Sequence, residues 1–500
     1  MLDKQISVKN LHADVDYLHK ILELYHPRLY WYISKQALDS KFDSVKADIT
    51  QPMVSADFYY KIAPLLTNIR QGHTRAVQPS PRYSVKERKT LAVKAFGFNP
   101  FYKYEFYIDS GKLYVIDNKS WDKRIKSGSE LIEVNHIKTS VLLDKYRHTL
   151  TSDGYIQTFP DRYIAKNFYS FLSKDFGLKD SMVCEALYAD TLKTFMLYRR
   201  NSAIDSVQTY DRKVKLTLAQ KDSIREENKK RRYLGFDRLT NRYSKNLTFY
   251  GTDSSTAILK INDFVGGKYT KFYKDTFKKL DALKVKNLVI DLRDNLGGRL
   301  SEINRLYSYL ADSTYYSFDR SSEITSPNVI FQPILKTRPQ WMHSLLWPFY
   351  PSSLLAMASK LERDNEGNYY MLLFPKKQKA ATHKFNGNVY VLINGGSFSA
   401  SCILSSNLKG AKRAFFVGEE TGGAYSGTVA GYMPMFKLPH SKIDVRMGLL
   451  ALHPAYEQAL KGRGIIPDVV IIPTLADKIN HTDPEMKYVL DKINLKNNDK

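Results

Sequence analysis

Two glycine-rich turns in the second half of the chain carry the residues best suited to chemistry. Residues 394–401 read Asn-Gly-Gly-Ser-Phe-Ser-Ala-Ser and follow a short apolar run at 389–393. Three serines within five residues are more than a helix N-cap needs, because a cap uses one hydroxyl. A serine hydroxyl in such a turn can attack a carbonyl when a neighbouring base takes its proton. The segment therefore indicates nucleophilic catalysis.

The earlier turn, residues 295–298, reads Asn-Leu-Gly-Gly and follows the apolar run 288–292. A turn of this kind exposes backbone N–H groups at the start of a helix, where they stabilise an anion or a developing oxyanion. Turns at the carboxyl ends of strands are also the usual position of a site in an open α/β sheet.

The elements around these turns alternate between strands and helices. Residues 256–261, 288–292 and 389–393 are short runs that predict strands, and the continuous apolar runs at 288–292 and 389–393 are typical of strands covered on both faces. A glycine turn and an amphipathic segment follow the later two runs, which is the pattern of a parallel α/β sheet. Residues 10–70 have helical periodicity, whereas 100–150 favour strands.

Composition excludes several other classes of protein. The chain has 500 residues, 43% hydrophobic and 25% charged, which indicates two to four globular domains rather than disorder. It has no apolar run long enough for a transmembrane span, and its two cysteines exclude a disulfide scaffold or a cysteine-built zinc site. The net charge of +25 favours acidic partners, but the basic residues are scattered and no nucleic-acid motif accompanies them.

Five segments, in the same order, resemble the motifs of S41 peptidases, the tail-specific or C-terminal-processing proteases. They are 72–74 (Gly-His-Thr), 291–298 (Asp-Leu-Arg-Asp-Asn-Leu-Gly-Gly), 394–401, 418–423 (Gly-Glu-Glu-Thr-Gly-Gly) and 462–469 (Gly-Arg-Gly-Ile-Ile-Pro-Asp-Val).

The resemblance implies an α/β fold with a crotonase/ClpP-like catalytic core, which we place at residues 236–475. It also implies an N-terminal helical region at 1–75 and a β-rich segment at 76–235, whose part around 100–150 is PDZ-like. Residues 476–500 are expected to form a C-terminal helix and a polar tail.

The same resemblance assigns the site residues. Ser399 matches the nucleophile, and the backbone N–H groups of Ala400 and of Gly297 or Gly298 match the oxyanion hole.

The general base departs from the commoner branch of the family, which uses the lysine of a Gly-Lys-Gly-Thr segment. Here the matching residues 426–428 read Ser-Gly-Thr, and no lysine stands among them. The tricorn-like branch instead uses a histidine near Gly-His-Thr and a distant glutamate. We therefore expect His73 to be the base, with an ordinary imidazole pKa of ~6–7, and Glu457 to be its acidic partner.

The sequence thus predicts a serine peptidase that cleaves polypeptides through an acyl-enzyme, with no metal or organic cofactor. A PDZ-like segment can hold the C-terminus of a substrate by strand addition. The alternative is a non-catalytic ligand- or peptide-binding protein on the same fold, which the missing lysine and the aromatic insertion at 338–361 would suit. That insertion is read as packing against the core, a lid or substrate wall, or a membrane-surface contact.

The N-terminus, Met1 to Gln5, is polar and has no signal peptide. The family's members are commonly exported, so the resemblance implies the cell envelope or periplasm, with the export signal removed. A cytoplasmic location stays open, and the sequence does not define the oligomeric state.

Overall fold

The computed structural model describes residues 4–81, 83–200, 217–237, 241–251, 254–318, 322–329, 352, 355–356, 358–374, 376–456 and 461–498. Most of the insertion at 338–361 lies outside these ranges, so its role stays a prediction.

The helices are α1 (Val8–Tyr25), α2 (Lys35–Asp48), α3 (Ser55–Thr67), α4 (Val85–Thr90), α5 (Val93–Phe96), α6 (Thr139–Arg147), α7 (Thr158–Phe176), α8 (Leu218–Leu234), α9 (Tyr269–Ala282), α10 (Leu300–Ser308), α11 (Ala400–Gly410), α12 (Leu475–Ile479) and α13 (Pro484–Asn498). The strands are β1 (Arg75–Val77), β2 (Tyr104–Asp109), β3 (Lys112–Asn118), β4 (Glu130–Val134), β5 (Ile137–Lys138), β6 (Ser181–Tyr188), β7 (Thr191–Tyr198), β8 (Phe236–Asp237), β9 (Arg242–Tyr243), β10 (Lys245–Tyr250), β11 (Thr256–Ile261), β12 (Asn287–Asp291), β13 (Ser322–Ile324), β14 (Leu361–Arg363), β15 (Tyr369–Met371), β16 (Asn388–Ile393), β17 (Phe415–Gly418), β18 (Thr428–Ala430), β19 (Met435–Lys437), β20 (Asp444–Arg446), β21 (Leu450–Leu452) and β22 (Val469–Val470).

A six-stranded sheet of order β10-β11-β12-β16-β17-β22 carries the two glycine-rich turns. Its strands run parallel except for β10. Every residue of β12 is buried. Leu288 and Ile290 belong to the main core with α9, α10 and α11, whereas Val289 packs with Val489 and Ile493 of α13. Both faces of the sheet are therefore covered, and the predicted α/β class is confirmed.

A second sheet, of order β2-β3-β4-β6-β7, lies in the segment predicted to be β-rich. It has its own core, into which α6 and α7 place Tyr146 and Phe168. The 19-residue helix α7 was not indicated by the sequence, because the polar and tyrosine-rich stretch after residue 155 has no sharp periodicity. The domain boundaries given above stay a prediction.

The N-terminal helices α1 to α3 pack into the same core as the central sheet. Asp14 of α1 makes one of the contacts between these regions. It is buried and accepts hydrogen bonds from the backbone N–H groups of His440 (2.9 Å) and Ser441 (2.6 Å). Ser55 at the start of α3 donates its hydroxyl to the Ser441 carbonyl at 2.8 Å. These bonds attach the N-terminal helices to the loop between β19 and β20.

Strand β1 continues this attachment directly after α3. It pairs antiparallel with β20, and β20 pairs with β19, to give a three-stranded sheet of order β1-β20-β19. The turn at residues 72–74 precedes β1, so the pairing holds that turn against the C-terminal half of the chain.

Replacement of Asp14 tests this attachment. Asp14→Ala removes a buried acceptor and leaves two backbone N–H groups without their partner, so the free energy of unfolding should fall by about 2–4 kcal/mol. Urea denaturation measures the change. Asp16→Ala is the matched control, because Asp16 lies on the same helix, is exposed and pairs with the Lys46 side chain; its effect should stay within about 1 kcal/mol. Equal losses in both variants would contradict the role of Asp14.

Candidate active site

Ser399 occupies the turn between β16 and α11 in an unusual backbone conformation. Its φ is +57° and its ψ is −120°, a region that residues other than glycine rarely adopt. The side chain is half-buried and lies at the N-terminal end of α11. Strain of this kind persists when the surrounding structure fixes the turn, and it is concentrated at functional sites.

The two neighbouring serines have structural hydrogen bonds instead. Ser397 donates its hydroxyl to the Leu292 carbonyl at 2.8 Å, and Ser401 donates to the Asn295 carbonyl at 2.9 Å. Both serines are fully buried. They connect the 394–401 turn to Leu292 and Asn295, and Ser399 is the serine of the three whose hydroxyl meets an imidazole.

That base is His73. Its Nε2 lies 2.9 Å from Ser399 Oγ, although 326 positions separate the two residues in the sequence. The imidazole stacks on Phe398 with the ring centroids 5.1 Å apart. Burial, followed by the positive charges of Arg446 and Arg75, lowers the pKa of His73 to about 3. The imidazole is therefore neutral at physiological pH, the form that accepts a proton, and its pKa is far below the ordinary value expected from sequence.

The other imidazole nitrogen faces a hydroxyl and a carboxylate. His73 Nδ1 lies 3.3 Å from Thr428 Oγ1, and Thr428 Oγ1 lies 3.3 Å from Asp153 Oδ1. Both distances are at the long end for hydroxyl hydrogen bonds. All three side chains are buried, so little water competes for these contacts.

Asp153 is fixed by backbone as well. Its Oδ1 accepts from the Gly72 N–H at 2.7 Å, and its Oδ2 accepts from the Ala424 N–H at 3.4 Å. Burial raises the pKa of Asp153 to about 6, against the lowering effect of these hydrogen bonds. Above that pH the side chain is a buried carboxylate.

The charge of Asp153 sets the direction of this chain of hydrogen bonds. A carboxylate only accepts, so the Thr428 hydroxyl donates to Asp153 and its oxygen accepts from His73 Nδ1–H. The proton on Nδ1 leaves a lone pair on Nε2, which faces the Ser399 hydroxyl. The arrangement can thus take a proton from the serine.

The two predicted glycines have different environments. The Gly297 N–H is already donated to Asn295 Oδ1 at 2.8 Å, and a Cβ at Gly297 would lie 2.7 Å from Ala400 N. Gly297 and Gly298 have φ values of +95° and +148°, and a Cβ at Gly298 would lie 2.6 Å from the Phe264 backbone. Glycine is required at both positions. Ala400 begins α11, so its N–H has no partner within the helix.

The sequence did not identify Asp153 or Thr428 as site residues. Thr428 belongs to the segment that matches Gly-Lys-Gly-Thr, and the missing lysine was the feature of that segment that suggested a change of base. Asp153 precedes Gly154 in a turn without a family motif, so no local signal indicated it. Glu457 lies outside the described residues, and its role as the acidic partner stays a prediction.

Comparison with known families agrees with these motifs. Residues 255–471 match the sequence model of peptidase family S41. This part of the chain is similar to that family. The match includes both glycine-rich turns, Ser399 and Thr428, whereas His73 and Asp153 lie before it. No curated protein sequence matches the chain.

Solved structures show the same overall fold. The crystal structure of mature CPAF superposes with a TM-score of 0.60 at 14% identity, covering 97% of this chain and 96% of that one. Mature CPAF complexed with lactacystin gives 0.61 at 15% identity, with 97% of each chain covered. The likeness therefore extends beyond the S41 core to the N-terminal and β-rich regions. Among the described residues, no helix is long and apolar enough to cross a membrane.

The hydroxyl of Thr428 provides a test of the hydrogen-bond chain. Thr428→Val keeps the shape of the side chain but disconnects His73 from Asp153, so labelling of the serine by a fluorophosphonate probe should slow about 10- to 100-fold. The second-order labelling rate measures this. Ser426→Ala, which removes a buried hydroxyl two residues away, is the control and should label at the wild-type rate. Wild-type labelling of Thr428→Val would contradict the connection.

Proposed function

We propose that this S41-like protein is a serine peptidase in which Ser399 is the nucleophile and His73 is the general base. The observation that carries the proposal is the 2.9 Å contact between His73 Nε2 and Ser399 Oγ. The strained backbone of Ser399 and the neutral state of His73 support the same roles. The substrate class is a polypeptide, as the family implies.

The first half of the reaction forms an acyl-enzyme. As Ser399 Oγ attacks the scissile carbonyl carbon, its proton passes to His73 Nε2 and the carbonyl oxygen becomes an oxyanion. We assign the oxyanion hole to the N–H groups of Ala400 and Gly298, because the Gly297 N–H is already bound by Asn295. The C–N bond then breaks, and the leaving amine takes the proton from His73.

The second half returns the serine to its free form. Water attacks the acyl carbon and gives a proton to His73, and the same two N–H groups stabilise the second oxyanion. The Ser399 oxygen leaves with that proton, and the new C-terminal carboxylic acid is released. His73 carries a positive charge in both halves, so the site must stabilise an imidazolium in a buried position.

Asp153 supplies negative charge for that imidazolium through Thr428. As the charge develops on His73, the two 3.3 Å contacts are expected to shorten. The role resembles that of the aspartate in other serine hydrolases, with a hydroxyl inserted between the acid and the imidazole. Glu457, the acid predicted from sequence, remains a competing proposal for the same task.

A ligand carrier on the same fold is the rival function. The contact of Ser399 with a neutral histidine favours hydrolysis, because binding an apolar ligand needs no such pair. Location in the cell envelope and binding of the substrate by its C-terminus are further proposals that rest on family resemblance.

Replacement of the pair tests the function directly. Ser399→Ala and His73→Ala should each lower kcat for hydrolysis of a labelled casein by roughly 10³- to 10⁶-fold, since nucleophile and base act as a unit. Mass spectrometry should locate a fluorophosphonate adduct on Ser399. His26→Asn is the control, because that buried histidine bonds Thr74 rather than a serine. No hydrolysis and no adduct in the wild-type protein would favour the ligand carrier.

The pH dependence identifies the acid. As the pH falls through about 6, Asp153 gains a proton and loses the charge that stabilises the imidazolium, so kcat/KM should fall; His73 does not protonate until about pH 3. Asp153→Asn should lower kcat/KM at pH 8 at least about tenfold and abolish the inflection near 6. Glu457→Gln is compared in the same assay. An inflection that persists in Asp153→Asn and disappears in Glu457→Gln would assign the role to Glu457.

A further inference from the structure

Two arginines face each other beside the active site. Arg75 of β1 and Arg446 of β20 are directly opposite in the antiparallel pairing, so their side chains lie on the same face of the three-stranded sheet. Their neighbours Ala76 and Val445 point to the other face and are buried in the core. Both arginines are half-buried.

Two acidic residues of this region, Asp444 and Asp175, have other partners. Asp444, two residues before Arg446, accepts from Lys437 at 2.6 Å. Asp175 accepts hydrogen bonds from several other side chains, namely Tyr60, Gln78, Lys145 and Tyr146. The contact made by the Arg446 guanidinium is a weak one, from Nη2 to the sulfur of Met433 at 3.2 Å. Within the described part of the chain, neither arginine forms an ion pair.

Such a pair is unfavourable in the free protein. Like charges at directly opposite positions of antiparallel strands destabilise the pairing. Burial of a guanidinium without an anion adds a desolvation cost. Both costs fall when one anion bridges the two side chains, so the arrangement indicates a bound anion in the working state of the protein.

The position of the pair relates that anion to the substrate. Arg75 follows His73 by two residues, and both guanidinium groups are close enough for their charge to lower the pKa of His73. Lys174 of α7 belongs to the same group of cations, since burial and then the charge of Arg75 lower its pKa. A polypeptide whose scissile bond lies at Ser399 would pass this cationic group.

We propose that Arg75 and Arg446 bind a carboxylate of the polypeptide substrate and so select the substrate class. The inference rests on the proposed function and specifies its substrate. A carboxylate fits the planar, forked donors of arginine, and two guanidinium groups can hold both of its oxygens. The carboxylate is either an acidic side chain near the scissile bond or the C-terminus of the substrate, and both present the same chemistry.

Binding of that carboxylate also affects the chemical step. In the free protein the two guanidinium charges oppose proton transfer to His73. A substrate carboxylate between them compensates this charge, so His73 accepts the serine proton more readily when an acidic substrate is bound. Removal of the arginines should therefore change the preference between acidic and neutral substrates in kcat as well as in KM.

The test uses internally quenched peptides of one core sequence. One set moves a single Glu or its Gln counterpart through each position around the scissile bond, and a second set ends in a free carboxylate or an amide. The wild-type protein should prefer one acidic peptide over its neutral counterpart by about 10- to 100-fold in kcat/KM. A preference within the first set indicates that the arginines bind an acidic side chain, and a preference within the second set indicates that they bind the C-terminal carboxylate.

Two variants of Arg446 and one control complete the test. Arg446→Gln should reduce the preference to near unity, and Arg446→Glu should do the same because it supplies an internal carboxylate to Arg75. Thermal melts should show both variants as stable as wild type or more so, since repulsion is removed. Lys442→Gln, in the loop between β19 and β20, replaces an exposed lysine that donates to the Pro439 carbonyl, and should keep the full preference. An equal preference in wild type and both Arg446 variants, or none in wild type, would overturn the proposal.

A measurement of peptide affinity distinguishes the failure of this proposal from the failure of the proposed catalytic function. Fluorescence anisotropy on Ser399→Ala, with the same peptides labelled, measures affinity without hydrolysis. Tighter binding of acidic peptides that is lost on adding Arg446→Gln supports the carboxylate site even if the wild-type protein cleaves nothing, in which case only the catalytic proposal fails. Equal binding of acidic and neutral peptides, together with normal cleavage, would reject the carboxylate site alone.

Discussion

The contact between His73 and Ser399 is the constraint on which the rest of the structure depends. Its two residues are 326 positions apart in the sequence, and their side-chain atoms lie 2.9 Å from each other. The pairing of β1 with β20 and the hydrogen bonds of Asp14 bring the histidine to the serine. Residues 1–75 contain His73 and the S41-like segment 255–471 contains Ser399, so the pair forms only when the two regions fold together.

A third region reaches the same point. Phe398, next to the serine, stacks on His73 with centroids 5.1 Å apart and on Phe159 of α7 at 4.6 Å. A Cβ at Gly72 would lie 2.4 Å from the Phe398 ring, which explains why glycine precedes the histidine. Asp153 lies just before α7 and binds the Gly72 N–H. The segment predicted to be β-rich therefore contributes both packing and an acid to the site.

The sequence predicts those residues of the candidate site that stand in a short local motif. Ser399 and His73 were identified because each stands in a short motif, and the strands around them because their apolar runs are continuous. Asp153 was missed because its environment is made by Gly72 and Ala424, which are distant in sequence and form no pattern with it.

The sequence likewise does not decide whether Gly297 or Gly298 supplies an N–H group to the oxyanion hole. In sequence the two glycines are equivalent. The two glycines differ because the side-chain amide oxygen of Asn295 accepts the Gly297 N–H. The turn is predictable from its residues, whereas the donor left for an oxyanion depends on one side-chain contact.

Several features of the site are unfavourable for stability, and each has a use in the proposed hydrolysis. Ser399 has a strained backbone, Asp153 is charged in a buried position above pH 6, and Arg75 repels Arg446. A protein that only held an apolar ligand would need none of these features. The proposed reaction accounts for their concentration around one imidazole, because in that reaction a neutral base becomes an imidazolium there. Asp153 supplies one compensating negative charge from within the fold. The excess positive charge of the two arginines remains, and an acidic substrate is the group whose binding would complete the electrostatic balance.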